Sequence, residues 1–218
     1  MKRIEVLYWD EHYIAVTKPA GLLVHPFKER SKDRSHLMRS VKKQTDLYLY
    51  PVHRLDKPVS GVVLFGLSKE ATRRIKEQWN TELTQKRYIT LCRGEIDEEG
   101  KFDFDLKGDR GPQEALTLYK RIATNGEYSL VDVEIKTGRM HQIRRHFSRR
   151  MFNIIGDSKY GRSAINNIFK MKYKFYRLFL HSYEFKFFHP FDNKWVTIRS
   201  SIPDELNHII DDLDLRNP

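Results

Sequence analysis

Cysteine is almost missing from the 218-residue sequence, which contains only Cys92. A single thiol cannot form a disulfide within the chain or supply the ligands of a cysteine-based zinc site. Cys92 ends an apolar run and is predicted to be a small core residue. No apolar stretch approaches the ~20 residues of a transmembrane helix, and Glu5 interrupts the apolar run that a signal peptide needs. We therefore expect a cytoplasmic protein.

Acidic residues are scarce relative to basic ones. The 29 Asp and Glu face 40 Lys and Arg, which leaves a formal charge of 40 − 29 = +11. Such an excess indicates a polyanionic partner, but charge alone does not separate RNA, DNA and an anionic membrane. Internal repeats, low-complexity tracts and Pro/Ser-rich linkers are also missing from the sequence, so we expect one domain over residues 1–218.

Period-two and period-four apolar patterns alternate along the chain and predict both strands and helices, an α+β fold. Sequential strands joined by short turns predict antiparallel pairing. Glu98–Gly100 and residues 107–113 are predicted to be turns. A helix is predicted over 69–83 because Ser68 is a strong N-cap. Its buried face is expected to contain Ala71, Ile75, Trp79 and Leu83. A second helical apolar stripe is predicted from Met140, Ile143, Phe147 and Met151. Strands are predicted over 4–9, 13–17, 62–65, 88–91, 115–123, 129–135, 185–188 and 195–198, with a turn at Asn125–Gly126, and further helices near 37–41 and over 203–213.

One polar stretch, His53 to Gly61, reads H-R-L-D-K-P-V-S-G and leads directly into the buried strand over 62–65. Pro58 fixes its own φ, and Gly61 permits a sharp entry into the strand. Asp56 is therefore expected on a stiff loop at the edge of a buried sheet. Spacing alone leaves a simpler interpretation open, in which Asp56 caps a turn or pairs with a neighbouring basic side chain.

This stretch resembles the catalytic motif H-R-L-D-x-x-[TV]-S-G of the RluA-type pseudouridine synthases, with Val59 where threonine is commoner. Further blocks resemble the same family: K-P-A-G-L-L-V-H-P at 18–26, K-x-Y at 86–88, T-G-R-M-H-Q-I-R at 137–144, I-I-G-D-S-K-Y-G at 154–161 and R-L-F-L-H-S at 177–182. The resemblance implies that family's catalytic fold, a mixed, mostly antiparallel sheet flanked by helices with a central active-site cleft, and no N-terminal RNA-binding accessory domain.

The resemblance also implies roles for individual residues. Asp56 would be the catalytic carboxylate, Tyr88 would stack on the base, and Arg144 would pair with Asp56 and keep it ionised. Whether Asp56 attacks covalently or removes a sugar proton stays open. The substrate-binding residues implied are His53, Arg54, Arg139, His141 and Leu180, with Arg54 entering the space that the flipped base leaves. The isomerisation requires no cofactor and no metal.

Three features are similar to the family members that act on tRNA: Arg144-Arg145-His146, the dipeptide Lys57-Pro58 and the Lys-, Tyr- and Phe-rich insertion at 163–177. This similarity implies the uridine at tRNA position 65. The insertion is equally consistent with an RNA contact and with a partly buried helix that is basic outside. The expected partner is RNA, specifically tRNA, and the expected state is a monomer. The alternatives are a ribosomal RNA substrate and a non-catalytic RNA-binding protein on this fold.

Three other readings are disfavoured. A metal-dependent hydrolase would have to use the nine histidines, but His141 and His146 are five residues apart and no carboxylate cluster flanks them. A phosphate-binding loop at 156–163 has Arg162 in place of the required lysine, and no suitable helix is expected to follow. A membrane-surface helix, basic on one face and uninterruptedly apolar on the other, is not found in the sequence.

Overall fold

The computed structural model describes residues 3–25, 35–109 and 111–216. Pro26, the end of the first block, lies outside these ranges. Strands of the described chain are β1 (Val6–Trp9), β2 (Tyr13–Lys18), β3 (Tyr50–Pro51), β4 (Ser60–Gly66), β5 (Thr84–Arg93), β6 (Glu99–Phe102), β7 (Leu106–Gly108), β8 (Gly111–Gln113), β9 (Thr117–Thr124), β10 (Tyr128–Ile135), β11 (Leu180–Phe188) and β12 (Trp195–Arg199). Helices are α1 (Leu37–Thr45), α2 (Lys69–Glu77), α3 (Gln142–Arg149), α4 (Ser163–Tyr173) and α5 (Asp204–Asp212).

Two compact units divide the chain. The first unit comprises Met1–Thr84 and Ser182–Ser201, and the second comprises Gln85–His181 and Ile202–Pro218. The combination of mostly antiparallel strands and helices confirms the predicted α+β class. The central cleft and the single catalytic domain expected from the resemblance stay predictions. Within the described part of the chain, no helix is long and apolar enough to cross a membrane.

The first unit contains strands in the order β1-β2-β4-β11, with β3 also paired to β4 and β12 to β11. Alternate residues of β2, β4 and β11 point to one apolar cluster, as period-two patterning requires. Helix α2 packs on this cluster through residues four apart, one turn from each other. The cluster includes Tyr13, Ala15, Val62, Leu64, Ala71, Ile75, Phe185 and Phe187.

The second unit contains strands in the order β5-β10-β9-β6, and β7 and β8 form a separate hairpin. Strand β10 pairs antiparallel with both β5 and β9, and the turn at Asn125 and Gly126 joins β9 to β10 as predicted. The predicted turns at Glu98–Gly100 and 107–113 are wrong, because Glu99 begins β6 and the second stretch forms most of the β7–β8 hairpin.

Two predicted helical faces extend too far. The Ser68 side chain caps α2 by accepting from the Ala71 amide, as expected, but the helix ends at Glu77 and Leu83 is exposed. Similarly, α3 buries Ile143 and Phe147, whereas the predicted stripe residues Met140 and Met151 lie outside the helix and are exposed. Helix α4 begins at Ser163, and it buries only Asn166 and Phe169, so the insertion does form the partly buried helix that was one of its two interpretations.

Candidate active site

Asp56 lies on a tight turn in the first unit. Its backbone carbonyl accepts a hydrogen bond from the Val59 amide at 3.0 Å. Leu55 and Val59 are buried on either side, while the Asp56 side chain is half-buried. The apolar neighbours hold the loop against the unit, and the carboxylate remains partly accessible. This confirms the expected position of Asp56 beside a buried strand; its catalytic role stays a prediction.

A buried lysine fixes the backbone of that turn. Lys18, at the end of β2, is fully buried, and its Nζ donates to the carbonyl of Lys57 at 3.2 Å. The same Nζ donates to the carbonyls of Pro19 at 2.9 Å and Leu22 at 2.7 Å. The Gly21 amide adds a further bond to the Lys57 carbonyl at 2.8 Å. Because a buried ammonium must be surrounded by acceptors, these bonds tie the first block to the Asp56 loop.

The entry into β4 depends on Gly61. Its φ is +117°, and a Cβ there would lie 2.1 Å from the carbonyl oxygen of Ser182. Only glycine fits both the backbone conformation and the close approach. Gly61 also pairs with Lys18 in the β2–β4 register, so the loop returns to the sheet directly beside the buried lysine.

His53 is part of the apolar framework of the first unit. Its Nε2 accepts a hydrogen bond from the Leu64 amide at 3.0 Å. Its ring packs against Trp79, with centroids 4.8 Å apart, and near Phe185 at 5.9 Å. These contacts support β4, and the substrate-binding role of His53 stays a prediction. Arg54 is exposed, and its predicted entry into the RNA stays a prediction as well.

Arg144 of α3 is buried in the second unit and forms a two-point ion pair with Asp157. Its Nε lies 2.8 Å from Oδ2 and its Nη2 lies 2.9 Å from Oδ1. The backbone amides of Lys159 and Tyr160 also donate to Asp157 Oδ1, at 2.9 and 3.0 Å. Burial raises the pKa of the Asp157 carboxyl, but hydrogen bonds from Arg144 and the two amides outweigh it, so the net shift is downward.

An aromatic ring covers the Arg144 guanidinium. The Arg144 Cζ lies 5.1 Å from the ring centroid of Tyr160, within the range of a cation–π contact. The Tyr160 hydroxyl is 2.9 Å from Nδ1 of His141, the left-handed N-cap of α3 with φ 54°. His141 and Arg144 are thus brought together, whereas the predicted contact of Arg144 with Asp56 stays a prediction.

Gln142 holds the loop that carries Arg139 and His141. Its Oε1 accepts from the Thr137 hydroxyl at 2.8 Å and from the Arg139 amide at 3.0 Å. Its Nε2 donates to the Leu116 carbonyl at 3.0 Å. The Arg139 side chain is half-buried and donates through Nε to the Glu114 carbonyl at 2.8 Å. Nε2 of Gln142 also donates to the Thr117 hydroxyl at 3.0 Å. All four hydrogen bonds of the Gln142 amide group are thus with backbone or hydroxyl groups, which makes Gln142 a structural clamp.

Tyr88 and Leu180 are both buried in the second unit, at 7% and 3% exposure. Tyr88 lies opposite Val133 in the β5–β10 pairing, and Leu180 is the first residue of β11. Lys86 precedes Tyr88 on the same side of β5, and burial lowers its pKa to about 8. The predicted roles of Tyr88 in stacking and of Leu180 in lining the uridine pocket stay predictions.

The histidines considered as metal ligands have other partners. His146 is fully buried, with Nε2 at 3.2 Å from the Phe104 carbonyl and Nδ1 at 3.0 Å from the Thr117 hydroxyl. A carbonyl only accepts, so Nε2 carries the proton and Nδ1 is occupied by the hydroxyl. Burial lowers the pKa of His146 to about 4. His146 is therefore a neutral structural side chain.

One acidic and histidine cluster in the described chain has the spacing of a cation site: Asp10, His189 and Asp192. Nε2 of His189 lies 3.0 Å from Asp10 Oδ2, and Nδ1 accepts from the Asp192 amide at 3.0 Å. The other Asp10 oxygen accepts from the amides of His12 and Tyr13, both at 2.7 Å. Both ring nitrogens are engaged, so this cluster connects two turns of the first unit and does not have the free donors of a metal site.

Sequence reasoning missed three residues that position the predicted site: Lys18, Gln142 and Asp157. Each lies inside a block that resembles the family, so the blocks themselves were the available signal. Each has a partner far along the chain: the Lys57 carbonyl is 39 positions from Lys18, the Leu116 carbonyl 26 from Gln142, and Arg144 13 from Asp157. Local spacing therefore gave no indication of which role each would have.

The structure is similar to solved pseudouridylate synthases. Human RNA pseudouridylate synthase domain containing 4 superposes with a TM-score of 0.79 at 21% identity, over 96% of this chain and 93% of that one. Human RNA pseudouridylate synthase domain containing 1 gives a TM-score of 0.73 at 19% identity, over 99% and 96% of the two chains. At this level of identity the comparison defines the fold, which is that of the pseudouridylate synthases.

The sequence comparisons define the family. The RNA pseudouridylate synthase family model matches residues 12–149. The tRNA pseudouridine synthase C of Vibrio parahaemolyticus is 34% identical over 92% of this chain and 91% of its own length. The enzyme of the same name from Pasteurella multocida is 34% identical over 97% and 96%. The chain belongs to the RNA pseudouridylate synthase family, and the resemblance found in its sequence is confirmed.

Proposed function

We propose that the protein converts one uridine of tRNA, at position 65, into pseudouridine. The observation that carries this proposal is the 34% identity to tRNA pseudouridine synthase C over 92% of the chain. The +11 formal charge supports a nucleic-acid substrate. We propose that the protein acts as a monomer in the cytoplasm.

The reaction breaks the C1′–N1 glycosidic bond, turns the freed uracil and joins C5 to C1′. C5 then gives its proton to solvent and N1 takes one up, so the product is an isomer of the substrate. It is an isomerisation, so no cofactor is consumed. Asp56 supplies the carboxylate, either as a nucleophile at C1′ or as a base toward the sugar. Its stiff loop favours this role, because a catalytic group must be held in a fixed orientation.

The other predicted residues have supporting functions. Tyr88 stacks on the uracil, Leu180 helps exclude water from the pocket, and Arg144 orients the Asp56 carboxylate. The two-point contact with Asp157 supports this assignment of Arg144, because it leaves the guanidinium little rotational freedom. Arg54 is exposed and can enter the stack where the flipped base leaves it. His53, Arg139 and His141 contribute to substrate binding through the loops that they belong to.

The test is to incubate purified protein with an unmodified tRNA transcript, without any added cofactor and with excess chelator, and to map pseudouridine by mass spectrometry. We expect modification at position 65, none after a U65C change in the tRNA, and none with Asp56→Asn. Asp97→Asn, which changes an exposed aspartate of the second unit, is the matched control and should retain activity.

Three results would contradict the proposal. Pseudouridine formed by Asp56→Asn would remove this carboxylate from the reaction. Modification of a ribosomal RNA transcript in preference to tRNA would support the ribosomal alternative. Binding of tRNA by the wild-type protein with no pseudouridine at any position would favour a non-catalytic RNA-binding protein.

A further inference from the structure

The segment from 158 to 177 contains six basic residues and neither aspartate nor glutamate. Helix α4 occupies most of this segment, and its C-cap is Lys174, which has a left-handed conformation with φ 54°. Two of the six cations have carboxylate partners within the second unit: Lys172 pairs with Asp212 at 2.7 Å and Arg177 with Glu205 at 2.6 Å. The segment is therefore strongly positive even after its ion pairs are counted.

One face of α4 is fixed to the second unit. Asn166 and Phe169 are buried, and the Phe169 ring meets the edge of Tyr128 at 5.3 Å. The Asn166 amide accepts from the Gly156 backbone at 2.8 Å and donates to the Asp157 carbonyl at 3.0 Å. Because the carboxylate of Asp157 holds Arg144, the helix is joined to the predicted catalytic arginine through one residue.

The outer side of α4, together with the residues just after its end, carries large apolar side chains in solvent. Ile168, Met171 and Tyr176 are 55%, 76% and 72% exposed. These are three of the nine large exposed apolar side chains of the described residues, and they fall within nine consecutive positions. Lys170 and Lys174 are also exposed and lie one turn apart, beside Met171. We call these five residues, Ile168, Lys170, Met171, Lys174 and Tyr176, the α4 surface.

We propose that the α4 surface binds tRNA outside the target nucleotide. Lys170 and Lys174 contact backbone phosphates, while Met171 and Tyr176 pack against a base or ribose that the tRNA exposes. This inference rests on the proposed function, since it takes tRNA as the ligand. A second copy of the chain fits poorly, because a two-fold contact would bring the same lysines together in a surface without carboxylates.

The consequence for catalysis is positional. A tRNA held on the α4 surface lies at a fixed distance from Arg144, because Asn166 and Asp157 connect the two. The surface therefore contributes to binding and to the choice of uridine, and it leaves the chemical step unchanged. The measurable result is an effect on KM without an effect on kcat.

The first experiment compares the double variant Lys170→Gln/Lys174→Gln with the charge-matched control Lys101→Gln/Lys194→Gln, which removes two exposed lysines elsewhere. Affinity for an unmodified tRNA transcript is measured by fluorescence anisotropy from 50 to 300 mM KCl. Loss of two phosphate contacts should weaken binding about tenfold near 150 mM and reduce the slope of log K against log salt by about 1.5. The control should change Kd less than about twofold.

The second experiment concerns the apolar part of the surface. Tyr176→Ser should raise KM for tRNA about tenfold and leave kcat within about twofold, since base–aromatic stacking is lost. Tyr176→Phe keeps the ring and should restore the wild-type KM. The side chain is exposed, so both variants are expected to fold, and circular dichroism with thermal melting verifies this.

The inference is wrong if the double variant Lys170→Gln/Lys174→Gln changes the affinity for tRNA and the salt slope no more than the control does. Equal KM values for Tyr176→Ser and Tyr176→Phe would contradict it as well. A wild-type dimer in light scattering that the double variant dissociates would assign the surface to self-association instead. The affinity, salt-slope and light-scattering outcomes do not require catalysis, so they can be separated from the proposed function. If no pseudouridine forms but tRNA binding depends on Lys170 and Lys174, the proposed function is wrong and the proposed tRNA-binding role of the α4 surface is retained.

Discussion

Arg144 and Asp157 form a buried ion pair in which two nitrogens meet two oxygens at 2.8 and 2.9 Å. Asp157→Asn would leave the guanidinium charge buried without its carboxylate. We expect the free energy of unfolding to fall by about 3 kcal/mol, as it does when one partner of a buried pair is removed. Urea denaturation measures the change.

Asp157→Asn should also reduce the rate of pseudouridine formation by more than the loss of folded protein explains. At a temperature where Asp157→Asn is still fully folded, we expect kcat to fall at least about tenfold because Arg144 is no longer oriented. Glu70→Gln, which breaks an exposed ion pair with Arg73 on α2, is the control and should match the wild type in both measurements. Full kcat in folded Asp157→Asn would show that the pair does not position the site.

Lys18→Met should disturb the loop that carries Asp56. The methionine has a similar length but removes the lysine donor of the Pro19 and Leu22 carbonyls and one of the two donors of the Lys57 carbonyl, which keeps the Gly21 amide. We expect a loss of about 3 kcal/mol in unfolding free energy, with reduced activity in the folded fraction. Lys57→Met is the stability control, because the Lys57 side chain is exposed and only its carbonyl is used. Equal stability of the two variants would contradict this account.

Gly61→Ala should be strongly destabilising, because the new Cβ would lie 2.1 Å from the Ser182 carbonyl oxygen. Gly126→Ala is the matched control: its φ of +83° carries a similar backbone cost, but nothing lies within 4 Å of the Cβ position. We expect the control to lose about 1–2 kcal/mol and Gly61→Ala clearly more. Chemical denaturation of both variants checks the difference, and comparable losses would show that the β4 entry can relax.

The buried neutral His146 makes stability depend on pH. Its pKa is lowered to about 4 from an ordinary value of 6.5, so the unfolded chain binds a proton that the folded chain does not. Its contribution is therefore complete above pH 6.5 and is lost as the pH falls toward 4, on the order of 3 kcal/mol in total.

Urea denaturation between pH 4 and 7.5 tests this. The stability of His146→Gln, which retains a donor for the Phe104 carbonyl, should depend less on pH than that of the wild type. His208→Gln changes an exposed histidine and should leave the pH dependence as it is in the wild type. Parallel curves for His146→Gln and the wild type would mean that another group causes the dependence.

The sequence patterns correctly predicted those helices, strands and turns that depend on residues close together in the chain. The apolar run of β4, the Ser68 cap of α2 and the Asn125–Gly126 turn depend on residues within a few positions of each other. Leu83 continued the four-residue spacing of α2, but the chain leaves the helix after Glu77, and the hydroxyls of Thr81 and Thr84 bond to the Gln78 carbonyl. The spacing therefore persisted beyond the helix that it predicted.

The site residues also divide into those that a local motif predicts and those whose contacts are distant in sequence. Asp56 was found through the H-R-L-D motif, because the motif is contiguous. The Met140 prediction was wrong because His141 adopts a left-handed conformation and turns the chain before α3 begins. The burial of Lys18 and the pairing of Arg144 depend on atoms 39 and 13 positions away. Such contacts exist only after the units fold, so no local pattern predicts them.

The ammonium of Lys18 bonds to a carbonyl 39 positions later, so a growing chain that ends before Lys57 supplies it only with the carbonyls of Pro19 and Leu22. Until Lys57 leaves the ribosome, water must supply the third acceptor, and the hairpin of β1 and β2 cannot bury the amine fully. We therefore expect the hairpin and the Asp56 loop to consolidate in one step. Pulsed hydrogen exchange during refolding would show the amides of Ala15 and Val59 gaining protection at the same rate.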